Sequence, residues 1–160
     1  MDKIHRLLYP NRIVLVTSVD STGKQNIVTL AWCAPLSADP PLVGISLTEN
    51  RYSYKLISDS KEFVINLPSF RLADAAMVCG TKSGRSTDKF KEAGLTPEKS
   101  EKVSAPRIKE CYAFLECKLV KTVKTGDHVL LIGEVVSAEK KGDEPGLYDA
   151  GGADFIEVKA

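Results

Sequence analysis

The sequence predicts a mainly β domain of the α+β class, a small barrel of six strands with short helices inserted among them. Three observations support this prediction. Apolar, β-branched runs recur along the chain, turns rich in Gly, Pro and Asp close them, and short helical segments follow the third and fourth runs. At 160 residues the chain suits one domain with a proper core, residues 1–160, and is too short for two ordinary ones.

The first two strands are predicted to form a hairpin. Residues 12–19 (RIVLVTSV) are apolar and β-branched, and residues 26–33 follow a turn at 20–24 in which Gly23 can take a positive φ. Because apolar side chains occur on both faces of the second strand, we expect it to lie in a barrel wall or between two layers.

A proline-containing loop and a third strand come next. Residues 34–40 include two prolines, which cannot donate ladder hydrogen bonds, so we expect pairing to stop there and to restart with a strand over 42–47. Asn50 is predicted to cap a helix over residues 51–58.

The second half of the chain begins with a fourth strand over residues 62–67. Two helical pieces, 72–78 and 88–93, are predicted on either side of the polar loop 80–87, and Gly94 is expected to end the second piece.

Two long strands, residues 113–123 and 128–138, are predicted to pair through a tight turn at 124–127. The glycine-rich tail, about residues 140–160, is expected to be extended and to pack on the barrel or on a partner subunit. A barrel of this size would bury little of its outer surface by itself, so we expect a homodimer.

The charge balance argues against nucleic-acid and anionic-membrane partners, because 22 Lys and Arg residues stand against 21 Asp and Glu residues. No apolar run approaches the length needed to cross a bilayer, and the N-terminal stretch MDKIHRLLYPNR lacks the apolar core of a signal peptide. We therefore expect a soluble cytoplasmic protein.

Metal-binding residues are too few and too scattered to predict a metal site. The four cysteines form no CxxC pair and are expected to be buried apolar thiols, and the only histidines are His5 and His128. Cys79 is the thiol we expect to be most accessible, because it adjoins Gly80 in a polar segment.

The stretch 26–53 carries two polar clusters. The first is Asn26, Thr29 and Trp32, residue types that are also ordinary in strands and cores. The second lies where a strand ends and a helix begins: Ser46, Thr48, Asn50, Arg51 and Ser53. Free N–H groups, the helix dipole and a guanidinium there would suit an anion, although a helix cap and a solvated arginine are the simpler alternative. Together the clusters suit a ligand with a flat ring and an anionic tail, and flavin mononucleotide (FMN) fits that description.

A third polar cluster contains Lys82, Ser83, Gly84, Arg85, Asp88 and Lys89. A glycine-containing loop before a helix can bind phosphate, but the spacing is not that of a GxxxxGK[ST] loop and a helix precedes it. Nucleotide hydrolysis is therefore not expected, and a solvated basic loop is the alternative. Asp127 beside His128 could be an acid–base pair, although Asp and Gly are also the usual residues of such a turn.

Several motifs, in order and with their gaps, carry a resemblance over about residues 12–138. They are NIVTLAW, PLSADPPLVGIS, NRYSYKLI, KEFVINLP, CGTKSGRSTDKF and GDHVLLIGEVV. The sequence thus resembles the flavin reductase-like FMN-binding split-barrel family, and within it the branch of flavoredoxin and archaeal FMN-binding proteins. The resemblance implies a six-stranded Greek-key split barrel, a homodimer and non-covalent FMN near the dimer interface.

The resemblance also implies roles for individual positions. The positions that match the family's flavin-ring site are Asn26, Thr29, Leu30, Ala31 and Trp32. Those that match the site of the ribityl phosphate are Ser46, Leu47, Thr48, Arg51, Ser53 and Lys89. Ser83, Gly84 and Arg85 match a loop that closes over the cofactor. Phe155 matches a C-terminal aromatic residue near the flavin, and His128 matches a histidine on the nicotinamide side.

Three functions remain open at this point. The first is an NAD(P)H-dependent flavin reductase that passes hydride through bound FMN to a small-molecule or protein acceptor. The second is a flavoredoxin-type electron carrier without direct NAD(P)H oxidation, and the third is an FMN-binding module without turnover. A flavin performs the hydride and electron chemistry itself, so none of the three needs a catalytic cluster from the protein.

Overall fold

A computed structural model describes residues 3–159, so residues 1, 2 and 160 of the predicted domain lie outside the described residues. The strands are β1 (Asn11–Arg12), β2 (Val14–Val19), β3 (Gln25–Leu30), β4 (Cys33–Ser37), β5 (Leu42–Leu47), β6 (Glu62–Leu67), β7 (Pro97–Glu98), β8 (Arg107–Ile108), β9 (Ala113–Thr125), β10 (His128–Lys140), β11 (Gly146–Asp149) and β12 (Phe155–Val158). The helices are α1 (Tyr52–Ser60), α2 (Ala73–Thr81) and α3 (Lys89–Glu92), with short 3-10 helices at Ile4–Leu8 and Phe70–Leu72.

The main sheet contains seven antiparallel strands in the order β3-β2-β6-β9-β10-β5-β4. Its two edge strands, β3 and β4, are separated along the chain only by Ala31 and Trp32. The sheet therefore curves until its edges meet at this dipeptide, which forms the seam of a split barrel. The mainly β split-barrel prediction is confirmed, with seven strands in the wall where the sequence predicts six.

The seventh strand corrects two sequence-based expectations. The predicted strand 26–33 ends at Leu30, and the segment expected to be a loop contributes β4, which pairs with β5 from Cys33 opposite Ile45 to Ser37 opposite Leu42. Pro35 is tolerated there because β4 is an edge strand, so one side of its backbone needs no ladder donor.

The start of α1 also differs from the prediction. Arg51 is the N-cap residue and no side chain caps the helix. The carboxamide oxygen of Asn50 instead accepts a hydrogen bond from the hydroxyl of Thr48 at 2.6 Å. The prediction that Asn50 caps α1 is therefore wrong, and the first turn of α1 keeps its N–H groups free of any capping side chain.

Cys79 and Gly80 lie inside α2, which runs on to Thr81, and not in the polar loop. The prediction that Cys79 is accessible is wrong, because its side chain is fully buried against the core. Burial raises the pKa of the Cys79 thiol to about 11. The next helix, α3, is capped by Asp88, whose Oδ1 accepts from the N–H of Lys91 at 3.2 Å.

Strand β2 is buried along its whole length because it lies between two cores, as its apolar pattern predicts. Val14 and Val16 belong to the barrel interior. Leu15 and Val19 belong to an outer core, which α2 and α3 cover with residues such as Ala76 and Phe90. The two cores hold β3, α1 and α2 in fixed relation, and these elements carry the candidate site.

A buried ion pair fixes the connection between β7 and β9. Glu116 in β9 is fully buried and accepts from the backbone N–H of Glu101 at 2.9 Å, from that of Lys102 at 2.6 Å and from Arg107 Nε at 2.7 Å. Burial alone would raise the pKa of Glu116, but these donors outweigh it and hold the pKa below the usual range.

The C-terminal tail forms β11 and β12, which pair with β1 in a three-stranded sheet. Phe155 in β12 packs against the outer core. Within residues 3–159, no helix has the length and apolar character needed to span a membrane.

Candidate functional site

A pocket of about 500 Å³ lies where β3, the start of α1 and the segment 81–89 meet. Among the described residues that line it, four are cationic and none is acidic. We call it the anion pocket, and its lining consists of Asn26, Val28, Thr48, Asn50, Arg51, Tyr52, Ser53, Thr81, Lys82, Ser83, Gly84, Arg85 and Lys89. Concentrated positive charge in a concave site attracts anions.

The N-terminus of α1 borders the anion pocket. Arg51, Tyr52 and Ser53 line it, no side chain caps the helix, and its first turn contains no acidic residue. The unpaired N–H groups and the positive end of the helix dipole therefore add to the charge of Arg51 at the same place.

Asn26 and Ser53 form the buried wall of the anion pocket. Nδ2 of Asn26 donates to Oγ of Ser53 at 2.7 Å, and both side chains are almost fully buried. The other end of the carboxamide, Oδ1 of Asn26, has no partner within the described part of the chain. A buried polar atom without a partner costs about 1–3 kcal/mol. A ligand that donates a hydrogen bond to Oδ1 would remove that cost, once the neighbouring loop at Gly84 moves aside to admit it.

Gly84 brings the loop 82–87 against this wall. A Cβ at position 84 would overlap Oδ1 of Asn26 and would lie 2.8 Å from its Cγ. The loop is held from outside by Lys24, whose Nζ donates to the carbonyl oxygen of Arg85 at 3.3 Å. The guanidinium of Arg85 also lies over the ring of Tyr52, 5.5 Å from its centroid.

Lys89 is buried beside the anion pocket. Its ammonium donates to the carbonyl oxygens of Ile27 at 2.7 Å and of Cys79 at 2.8 Å, and thereby ties the free edge of β3 to α2. An ammonium has three donors, so one remains for the pocket. Burial lowers the pKa of Lys89, and the nearby charge of Arg51 lowers it further.

A second cavity, of about 420 Å³, opens at the seam of the barrel. The ring centroid of Trp32 lies 4.5 Å from that of His128 and 5.3 Å from that of His5. His128 is in turn hydrogen-bonded to Asp127, with 2.8 Å between Nδ1 and Oδ1. We call this the aromatic cavity, and it is lined by His5, Leu8, Asn11, Ala31, Trp32, Cys33, Ala34, Leu36, Gly44, Ser46 and Leu130.

The structure brings most of the sequence-predicted residues to these two sites. At the anion pocket lie Asn26, Thr48, Arg51, Ser53, Ser83, Gly84, Arg85 and Lys89. At the aromatic cavity lie Ala31, Trp32 and Ser46. Ser46 is thus separated from the residues with which the sequence groups it, and its N–H donates to the carbonyl oxygen of Trp32 at 2.9 Å.

Four predicted residues line neither site. Leu30 and Leu47 pack in the barrel interior, and Phe155 packs in the outer core. The hydroxyl of Thr29 donates to the carbonyl oxygen of Ala76 at 2.6 Å, which fastens β3 to α2. His128, which the resemblance matches to the nicotinamide side, also lines neither site, although its ring lies against that of Trp32 at the border of the aromatic cavity.

Several residues of the two sites are not among those predicted from the sequence. Tyr52 could have been found, because it stands between Arg51 and Ser53 at the helix start. His5, Cys33 and Gly44 reach the aromatic cavity through long-range pairing, which no local pattern signals.

Comparison with known proteins decides the family. A family model described as "Flavin reductase like domain" matches residues 5–157. The chain belongs to the flavin reductase-like family. An uncharacterized protein of Archaeoglobus fulgidus is 42% identical over 129 residues, which cover 81% of this chain and 72% of that protein.

Two further relatives of this flavin reductase-like protein carry functional names. A flavin reductase of Pseudomonas putida is 28% identical over 153 residues, covering 94% of this chain and 86% of that protein. Among solved structures, the flavoredoxin of Desulfovibrio vulgaris (Miyazaki F) has a TM-score of 0.86 and 28% identity, covering 95% of this chain and 88% of that chain. The family resemblance read from the sequence motifs is thereby confirmed.

Proposed function

We propose that this flavin reductase-like protein binds FMN without a covalent bond and acts as an NAD(P)H-dependent flavin reductase. The observation that carries the proposal is the anion pocket, which combines four cationic side chains, an uncapped helix N-terminus and no acidic lining residue among those described. Membership of the family and the similarity to a flavin reductase of Pseudomonas putida support the same function.

The residues of the anion pocket fit the phosphate end of FMN. Arg51 and the first turn of α1 would hold the phosphate, and the remaining N–H of Lys89 would face it. Oδ1 of Asn26 needs a donor, which a phosphate dianion lacks and a ribityl hydroxyl supplies. This requirement favours a sugar-phosphate over a bare phosphate.

We assign the flavin ring to the side of the aromatic cavity, because Trp32 offers a flat surface there and lies on the same stretch of chain as Asn26. When bound, the flavin supplies hydride and electron transfer, and the protein supplies binding, orientation and electrostatics. The imidazole of His128 is oriented by Asp127 and lies against Trp32 with the ring planes tilted by 38°, which suits a residue that positions a planar substrate.

A second function, an electron carrier that does not oxidise NAD(P)H, is favoured by the similarity to the flavoredoxin of Desulfovibrio vulgaris. The visible spectrum of the FMN-loaded protein, recorded without oxygen before and after NADH or NADPH, separates the two functions. Bleaching faster than that of free FMN under the same conditions supports the reductase. Bleaching by dithionite alone supports the carrier, and failure to take up FMN contradicts both.

We also propose a homodimer as the working assembly, with either a small molecule or a protein as the electron acceptor. Large apolar side chains are exposed around the aromatic cavity, with 84% of Leu7, 77% of Leu8 and 44% of Leu36 accessible. Leu8 and Leu36 line that cavity. Such a patch is typical of an interface. Sedimentation equilibrium should give the mass of two chains, and a monomer at micromolar concentration would contradict the assembly.

A further inference from the structure

A third pocket, of about 500 Å³, has no lining residue within 3–159 in common with the anion pocket or the aromatic cavity. It lies between β1, the start of β9 and the end of β10. Its walls are largely apolar and aromatic: Leu67, Tyr112, Phe114, Leu115 and Ala138. We call it the Arg12 pocket, after the guanidinium that lines it.

The charges around the Arg12 pocket leave one cation unmatched. Three ion pairs engage its acidic lining residues: Glu139 with Arg107, Glu144 with Arg71 and Asp143 with Lys140. Among the described residues, no carboxylate lies within ion-pair distance of Arg12. Its guanidinium donates to the hydroxyl of Tyr112 at 2.5 Å and lies over the ring of Tyr148 at 5.0 Å.

These contacts orient the guanidinium without neutralising it. Tyr112 and Tyr148 fix its plane through a hydrogen bond and a cation–π contact, and neither contact is an ion pair with a carboxylate. A guanidinium has five N–H donors in a planar fork that matches a carboxylate, so donors remain beyond the one that Tyr112 receives. The pocket also has a volume typical of small-molecule sites, which range over about 300–1,000 Å³.

We propose that the Arg12 pocket is a second small-molecule site, which binds an organic carboxylate with an apolar or aromatic body. The carboxylate pairs with Arg12, and the body packs against Phe114, Leu67 and Ala138. The site is separate from the flavin site, so its ligand is an effector or a co-substrate bound independently of the flavin phosphate.

Benzoate is the test ligand, and benzamide is its neutral counterpart of the same shape. Binding is measured by ligand-observed saturation-transfer NMR and by calorimetry on the full chain loaded with FMN. We expect benzoate to bind and benzamide to bind at least about tenfold more weakly, because only benzoate forms charge-assisted hydrogen bonds.

Three variants locate the site. Arg12→Gln is expected to weaken benzoate binding at least about tenfold, since the amide retains polarity without the charge. Lys55→Gln is the matched control, because it also removes a cation, but Lys55 pairs with Asp59 outside the Arg12 pocket and the change is expected to leave benzoate affinity unchanged. Ala138→Leu fills the pocket without altering Arg12 and is expected to weaken benzoate and benzamide alike, which keeps the test decisive if Arg12→Gln does not fold.

The proposal is overturned if the wild-type chain does not bind benzoate, if it binds benzamide equally well, or if Ala138→Leu leaves benzoate affinity unchanged. Unchanged benzoate affinity in a folded Arg12→Gln variant has the same consequence. FMN affinity is expected to be unchanged in all three variants, so failure of this site and failure of the flavin site give different results.

Discussion

The carboxamide of Asn26 donates to the hydroxyl of Ser53 at 2.7 Å, and this buried hydrogen bond joins barrel strand β3 to the first turn of α1. The junction places the uncapped, positively charged end of α1 beside the unpaired Oδ1 of Asn26. One buried atom without a hydrogen-bond partner and one helix end that attracts an anion therefore lie at the same pocket.

Gly84→Ala tests whether the loop 82–87 must close on this junction. The added Cβ would overlap Oδ1 of Asn26, so we expect the loop to move outward and FMN affinity to fall at least about tenfold. Calorimetric titration with FMN measures the change. Gly142→Ala is the control, because a Cβ there meets nothing within 4 Å. Equal FMN affinity in the two variants would show that the loop does not cover the cofactor.

Arg51→Gln tests the charge at the start of α1. Loss of a charge-assisted hydrogen bond should weaken FMN binding by about 1.5–3 kcal/mol, or roughly 10- to 100-fold. Lys55→Gln removes a cation from the same helix outside the pocket, where Lys55 pairs only with Asp59 at the surface. We expect this control to keep the wild-type affinity for FMN. Equal losses of affinity in both variants would mean that the net charge of the protein, and not the position of Arg51, is responsible.

Trp32 reports on the ring end of the site, because it is the only tryptophan in the chain. If the flavin ring lies at the aromatic cavity, uptake of FMN should quench most of the Trp32 emission. Trp32→Phe controls for other signals and should abolish the emission change while flavin absorbance still shows binding. Uptake of FMN with unchanged Trp32 emission would place the ring elsewhere.

Local sequence patterns predict most of the barrel. The β-branched runs locate β2, β5, β6, β9 and β10, since a half-buried or buried strand needs such residues on its pleated faces. The same reasoning fails at β4, because Pro35 excludes a central strand but not an edge strand, and edge position is a property of the whole sheet.

The candidate site is predictable only in part for a similar reason. Arg51 and Ser53 stand at a strand-to-helix transition that the sequence shows, and the anion argument follows from that position. The approach of Gly84 to Asn26 joins residues far apart in the chain, so only family resemblance groups them beforehand. Local sequence misleads at two residues. Cys79 adjoins a polar segment but is buried in the core, and Ser46 stands near Arg51 in the sequence but lines the aromatic cavity.

Glu116→Gln should destabilise the fold by roughly 3 kcal/mol, the scale of a buried ion pair that loses one partner. The folded-state pKa of Glu116 is lowered, so its contribution is fully present above the unfolded carboxyl pKa and is lost as pH falls through the folded value. In urea unfolding, the wild type should therefore have a larger free energy of unfolding than Glu116→Gln at pH 7, and this difference should shrink below about pH 4.

Glu139→Gln is the matched control for Glu116→Gln, because Glu139 pairs with the same Arg107 but is partly exposed. We expect it to cost at most about 1 kcal/mol. A wild-type advantage over Glu116→Gln that does not depend on pH would mean that packing, and not the carboxylate charge, is what position 116 contributes.

We propose that the anion pocket holds the phosphate of a flavin mononucleotide. The deciding measurement compares the affinity of the wild-type protein for FMN with its affinity for riboflavin, which differs only in lacking the phosphate. We expect FMN to bind at least about tenfold more tightly than riboflavin, and Arg51→Gln to reduce this preference. Equal affinity for the two flavins would contradict the assignment of the pocket.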